Sequence, residues 1–372
     1  MIRLFLSLII GIFILNHSWS QETLISKGVV VDSLTVQDSI SESFSIYIPK
    51  DFENGETWPV LVLFDPEGRG RSTAQLFRSI AEEQGYIIIA SNEILNKTSL
   101  QTNLPVAARL IERLLISIPA NPSMIYVGGL QEGAQLASAT PLIYKEIRGV
   151  LAVGDAWINT ELTEKMKPFF FSAVAGDEDA GLFKLQAFLE YYKREKYPTE
   201  INFFDGKNDE WPDTFVLSNA VSAFTLDALA KGLREKDQGF VQNLFEKELK
   251  SAEMLRRQRT YLRAYEKLEQ IENKYSLFDV DLNKLKDRQK ELRRNRAYKQ
   301  QRRDFRRAES LEGAKQEEYR QLMDMDIIST NFENIGWWEY QMEELQEKAE
   351  KGNLAEKKVY NRLQDFLKEL TR

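Results

Sequence analysis

Cysteine is absent from all 372 residues, and histidine occurs once, at His17. The first absence excludes a thiol nucleophile, disulfides, a cysteine zinc site and a lipid anchor on Cys. The second weighs more, because His17 lies in an amino-terminal segment with the marks of a removable leader. The mature chain is then expected to hold no imidazole, which removes the commonest general base and the commonest transition-metal ligand together. No cofactor and no metal are expected. Long apolar runs are scarce as well. After the leader none approaches the ~20 residues a membrane helix needs, so no integral span is expected in the mature chain.

The leader runs over residues 1–20. Arg3 precedes an apolar run from Leu4 to Leu15, and Ser18-Trp19-Ser20 stands before Gln21. A positive start, a short apolar stretch and small residues at the third and first positions before the cut describe a secretory signal peptide. Cleavage at Gln21 would place the protein in a periplasm or outside the cell.

Composition suits a sizeable core, with 43% apolar and 11% aromatic residues, and the length favours two domains. Charge divides unevenly. Residues 21–213 hold 17 Lys/Arg against 28 Asp/Glu, and residues 214–372 hold 32 against 29. The front half reads as strands alternating with helices. Gly28–Leu34 and Ser43–Pro49 are β-like, and Pro59–Phe64 is a continuous apolar run of the kind buried on both faces of a sheet. Ser72-Thr73-Ala74-Gln75 has the form of a capping box, with Gly85 as a helix stop. Tyr86–Ala90 is a strand, and a helix opening at Asn103 and Pro105 puts Ala107, Leu110, Ile111, Leu114 and Leu115 on one face. Further strands follow at Val150–Val153, Phe169–Val174 and Ile201–Phe204, with a helix over Leu182–Arg194. Such alternation implies βαβ units and a mostly parallel sheet. From about Leu233 the β signal ends, and residues 233–372 are expected to form an all-α domain.

The centre of the front half is Met124-Ile125-Tyr126-Val127-Gly128-Gly129-Leu130-Gln131-Glu132-Gly133. A strand enters a Gly-x-x-x-Gly turn and a helix leaves it, the layout of a nucleophile elbow. The raised residue is Gln131, whose neutral amide cannot attack a carbonyl. Two later motifs come in order: Gly176-Asp177-Glu178-Asp179, and Gly206-Lys207-Asn208-Asp209-Glu210-Trp211-Pro212.

Together these resemble the α/β-hydrolase superfamily, in particular exported esterases of the polyhydroxybutyrate-depolymerase or feruloyl-esterase type, over residues 21–232. The resemblance implies a mostly parallel sheet with flanking helices. Its catalytic positions fall on Gln131 for the nucleophile, Asp179 for the acid and Asp209 where the histidine of a G-x-H-x-W-P motif would stand. Two of the three lack the group their role demands. The expectation is therefore an exported, catalytically inactive hydrolase-fold protein with a binding or assembly role at the cell envelope. The alternative is a serine-type ester hydrolase, an esterase or peptidase, using a non-standard set such as a Ser–Lys pair or carboxylates.

Two more features bear on partners. Asp177, Glu178, Asp179, Asp205, Asp209 and Glu210 would suit Ca²⁺ if they gathered, although solvated loop carboxylates are the simpler reading. Residues 283–307 carry twelve Lys/Arg against three Asp/Glu. A helix laced with i,i+4 pairs is the ordinary explanation. The sharper one is contact with an envelope protein or an anionic surface, through Arg294, Arg303 and the exposed-looking pair Trp337 and Trp338. Export argues against nucleic acid.

Overall fold

The computed structural model describes residues 25–371, apart from positions 38, 54, 165 and 332–333. The expected leader lies outside the described residues. Eight strands form one sheet in the order β1-β2-β4-β3-β5-β6-β7-β8. They are β1 (Val30–Thr35), β2 (Ser43–Tyr47), β3 (Trp58–Phe64), β4 (Ile87–Ser91), β5 (Ala120–Leu130), β6 (Ile147–Val153), β7 (Phe170–Gly176) and β8 (Thr199–Phe204). The two pairings made by β2 are antiparallel, and every pairing from β4 to β8 is parallel. The central strands are buried on both faces, as their unbroken Val/Ile/Leu runs require.

Helices cover both faces. On one side lie α3 (Leu100–Ser117) and α6 (Leu182–Arg194). On the other lie α1 (Gly70–Leu76), α2 (Arg78–Gln84) and α7 (Thr214–Ala230). The short α4 (Glu132–Ala139) leaves the elbow, and α5 (Thr160–Thr163) is a single turn. Two boundaries differ from the sequence reading. The expected capping box at Ser72 falls inside α1, whose N-cap is Arg69 without a side-chain cap. The third helix starts at Leu100, capped by the Ser99 hydroxyl accepting from the Thr102 amide, so Pro105 sits within it. Leu115, assigned to its buried face, is exposed.

After α7 the chain is helical throughout: α8 (Gln238–Arg257), α9 (Tyr261–Tyr275), α10 (Asn283–Arg294), α11 (Arg296–Ser329), α12 (Ile335–Lys351) and α13 (Leu354–Leu370). These helices do not stand apart from the sheet. Leu226 and Leu229 of α7 share a core with Leu244, Phe245, Leu268 and Ile271. Beside that core four buried charges meet. Lys274 Nζ lies 2.8 Å from Glu200 on β8 and 2.9 Å from Glu248 on α8, and Lys267 Nζ lies 2.7 Å from Glu248. Two cations balance two anions, and Asn202, Ser222 and Tyr275 satisfy the remaining oxygens and N–H groups. A second core forms farther along α11, where Tyr319, Trp338, Leu345, Leu363 and Leu367 pack together. None of the described helices is long and apolar enough to cross a membrane.

Candidate functional site

The carboxyl ends of the parallel strands bring the sequence motifs to one edge. β5 ends at Leu130, and Gln131 follows with φ 49° and ψ −116°, outside the regions that L-residues favour. The turn is this sharp because two glycines permit it. A Cβ at Gly129 would come 2.0 Å from the Gly133 carbonyl carbon, and one at Gly133 would come 2.0 Å from the Phe64 carbonyl oxygen. The Gln131 amide nitrogen is held by the Val153 carbonyl at 2.9 Å. This is a nucleophile elbow in backbone geometry, raised at the centre of a mostly parallel sheet. The fold is α/β-hydrolase-like.

No family model matches the chain, and no curated protein matches it. Solved structures similar to it include a thermostable esterase, at 12% identity and a TM-score of 0.40, covering 48% of this chain. The chain spans only 55% of that esterase. Others are the fluorophosphonate-binding serine hydrolase FphF of Staphylococcus aureus, at 12% identity, and Est1E of Butyrivibrio proteoclasticus, at 15%. Each of these two covers 54% of this chain and 99% of its own, with a TM-score of 0.44.

In this hydrolase-like edge, Asp179 sits in the loop after β7. Its Oδ1 accepts from the Gly181 amide at 2.7 Å and its Oδ2 from the Asn208 amide at 3.2 Å. Burial pushes its carboxyl above the ordinary value against the pull of these donors, with the nearby Asp209 charge adding to the rise. The residue between elbow and acid is Asn208, not Asp209. Gln131 Nε2 donates to the Asn208 carbonyl oxygen at 3.2 Å, and the Asn208 amide in turn reaches Asp179. Asn208 is buried and its Oδ1 accepts from Gly176, while Asp209 is exposed. The tight turn after β8 points position 208 inward and position 209 outward, one residue from where motif spacing put the switch.

The Trp-Pro motif serves as a tie across the edge. Trp211 Nε1 donates to Asp65 Oδ2 at 2.8 Å, in the loop after β3, and the buried Asp65 also takes a forked pair from Arg69. Sequence reasoning did not select Asp65. Its place immediately after a buried strand, followed by Pro66 and Gly68, was the available signal.

The chain offers one hydroxyl against a lysine among the described residues. Ser222 Oγ is 3.4 Å from Lys274 Nζ. Ser222 and the Lys274 side chain are both buried in the four-charge cluster. Although burial works against charge there, Glu200 and Glu248 hold the ammonium above its ordinary value. A lysine kept protonated cannot take a proton from serine, so this pair does not supply the Ser–Lys alternative.

The acidic cluster is occupied from within the chain. Asp177, Glu178 and Asp205 bring their oxygens together, and Lys358 of α13 sits among them. Its Nζ is 2.6 Å from Asp177, 2.6 Å from Asp205 and 3.9 Å from Glu178. The ammonium holds the position a cation would take. Beside it Arg362 pairs with the buried Glu312 of α11 at 2.7 Å and donates to the Asp177 carbonyl at 2.5 Å, while Gln316 donates to the Ala180 carbonyl at 3.3 Å. Lys207, one residue before Asn208, pairs with Asp365. Thus α11 and α13 grip both loops that carry the acid and its neighbour. Burial lifts the Glu312 carboxyl to about 7 even against Arg362, with the Asp179 charge contributing.

The remaining expected binding residues lie away from this edge. Arg294 and Arg303 are exposed on α10 and α11. The tryptophan pair is not exposed as expected. Trp338 is a core residue whose Nε1 donates to Asp326 at 2.9 Å, and the half-buried Trp337 packs edge-on against it at 4.8 Å. Asp326 lies one helical turn before the end of α11, so the pair fastens α12 to α11.

Proposed function

We propose that this chain is an exported, catalytically silent protein of α/β-hydrolase-like fold that works by binding or assembly at the cell envelope. The observation that carries the reading is the chain of contacts Gln131–Asn208–Asp179. An amide stands on the elbow, a backbone peptide follows it, and a carboxylate closes the series. Acyl transfer needs a hydroxyl that gives up a proton and a base that takes and returns it. A carboxamide and a peptide group do neither. The only histidine is in the expected leader, so the mature protein has none to recruit.

Silence at this edge also accounts for the way α11 and α13 hold its loops with Lys358 and Arg362, since nothing there has to move for turnover. The leader motif supports export, and Gln21 is the expected first residue of protein recovered from an envelope fraction. The decisive assay is hydrolysis of p-nitrophenyl esters, together with labelling by a fluorophosphonate. The full chain is expected to show neither, and Gln131→Ser is expected to gain neither. Hydrolysis that survives Gln131→Ala would establish the other reading, an ester hydrolase with a non-standard set located elsewhere.

A further inference from the structure

The twelve cations of residues 283–307 are exposed without exception. Only Lys284 and Lys286 have a carboxylate within ion-pair distance, Asp281 at 3.6 Å and Glu272 at 3.8 Å. Among the described residues the other ten have none. The i,i+4 pairing that would make this an ordinary solvated helix is therefore missing, and mutual repulsion is left uncompensated.

The cations are also ordered. In α11, Tyr298, Gln301, Phe305, Ala308 and Glu312 face the body of the protein and are buried or half-buried. Arg296, Lys299, Arg303, Arg306 and Arg307 occupy the opposite face. At 100° per residue these five fall within about a third of the helix circumference, and the stripe is roughly 16 Å long. Its first members crowd the start of a 34-residue helix whose first turn has no acidic residue, so the helix dipole adds to the positive potential. Arg293 and Arg294 end α10 just across the Asn295 bend.

We infer that this face binds a linear polyanion, specifically an acidic polysaccharide of the envelope. The inference rests on the proposed envelope setting for the source of the polymer, and on the stripe alone for the chemistry. Three observations choose among anionic partners. Most of the cations are arginine, whose planar fork suits carboxylate, phosphate or sulfate oxygens. No large apolar side chain is exposed among them to enter a bilayer, since Leu285 and Leu292 are buried. No aromatic ring is exposed there to stack on bases, because Tyr298 is buried and Phe305 lies beneath the Arg263 guanidinium at 4.8 Å. One or two cations per helical turn, every ~5.4 Å, match a polymer with a charge on successive sugar rings.

The test uses the full mature chain with labelled polygalacturonate and labelled heparin, beside phosphatidylglycerol vesicles and a short double-stranded DNA. Both polysaccharides are expected to bind, with affinity falling steeply as salt rises. The variant R296Q/K299Q/R303Q/R307Q alters only exposed side chains, so its circular dichroism should match the parent. Its affinity for the polysaccharides should fall at least tenfold, with a shallower salt dependence. A control on the hydrolase-like part, K145Q/R148Q/K193Q, should bind as the parent does. An equal loss in the control, unchanged binding by the stripe variant, or binding confined to vesicles or DNA would overturn the inference. Ester hydrolysis is read separately, so failure of the catalytic reading and failure of this one are distinguishable.

Discussion

Lys274→Met tests how the sheet and the helical region are joined. The substitution removes an ammonium 2.8 Å from Glu200 and 2.9 Å from Glu248, and leaves two buried carboxylates facing Lys267 alone. Breaking a buried ion pair from one side costs about 3–5 kcal/mol, because the partner's charge stays desolvated. Burial disfavours the Glu248 carboxylate, yet Lys267 and Lys274 together outweigh it and bring the carboxyl from 4.5 to about 2. The expected loss near neutral pH is therefore about 3 kcal/mol, a hundredfold change in the unfolding equilibrium. The sign with pH is determined by the same shift. A depressed carboxyl stabilises above its unfolded value, and that stability is lost as pH falls from 4.5 toward 2. Lys274 is raised, so its contribution is present below 10.5 and fades as pH rises through its folded value. In Lys274→Met the surplus carboxylate can take a proton in acid, so the deficit should shrink between about pH 7 and pH 4. Urea unfolding followed by tryptophan fluorescence and circular dichroism measures both effects. Adding Glu248→Gln should restore part of the loss by removing the surplus charge. A deficit under about 1 kcal/mol, or a double variant as unstable as the sum of its parts, would refute the reasoning.

Gly133→Ala should destabilise by about 3 kcal/mol or prevent folding, since its Cβ would meet the Phe64 carbonyl at 2.0 Å; a thermal melt like the parent's would show that the elbow is not packed as described. Glu312 holds its proton up to about 7 when folded but only to 4.5 when unfolded. Stability should therefore decline as pH rises through that window, and Glu312→Gln should flatten the decline when urea midpoints are compared at about pH 5 and pH 8. A chain ending after Leu233 would expose Leu226 and Leu229 and strand Glu200 without Lys274. It is expected to be unfolded or aggregated, and a cooperative melt of that fragment would contradict the shared core.

The front of the chain was legible because its signals are local. Pro59–Phe64 and Val150–Val153 are apolar runs that only a strand buried on both faces explains, and both lie in the centre of the sheet. The elbow was readable because Gly129 and Gly133 flank the raised residue in a Gly-x-x-x-Gly turn, although the contact that requires Gly133 is with the Phe64 carbonyl of β3. That Gln131 stands at the elbow and that histidine occurs only at His17 could be read directly from the residues. The helix over Leu182–Arg194 and the all-helical run from about Leu233 followed from local pattern. Position 208 was missed because which side chain of a tight loop faces inward depends on the hydrogen bonds that Gly176 and Asp179 offer from another loop. Trp337 and Trp338 looked exposed because their partners, Asp326 and Tyr319, come from a neighbouring helix. Lys274 and Lys358 carry no local signal of burial, since a charged residue on an amphipathic helix is ordinarily solvated. Only the packing of α9 against β8, and of α13 over the loops after β7 and β8, brought carboxylates to them. The sequence by itself determined the sheet, the turn and the residue types at the elbow, because each is written in neighbouring residues. The tertiary structure decided which charges are buried and which remain free, because burial is a property of surfaces that meet only when distant segments pack.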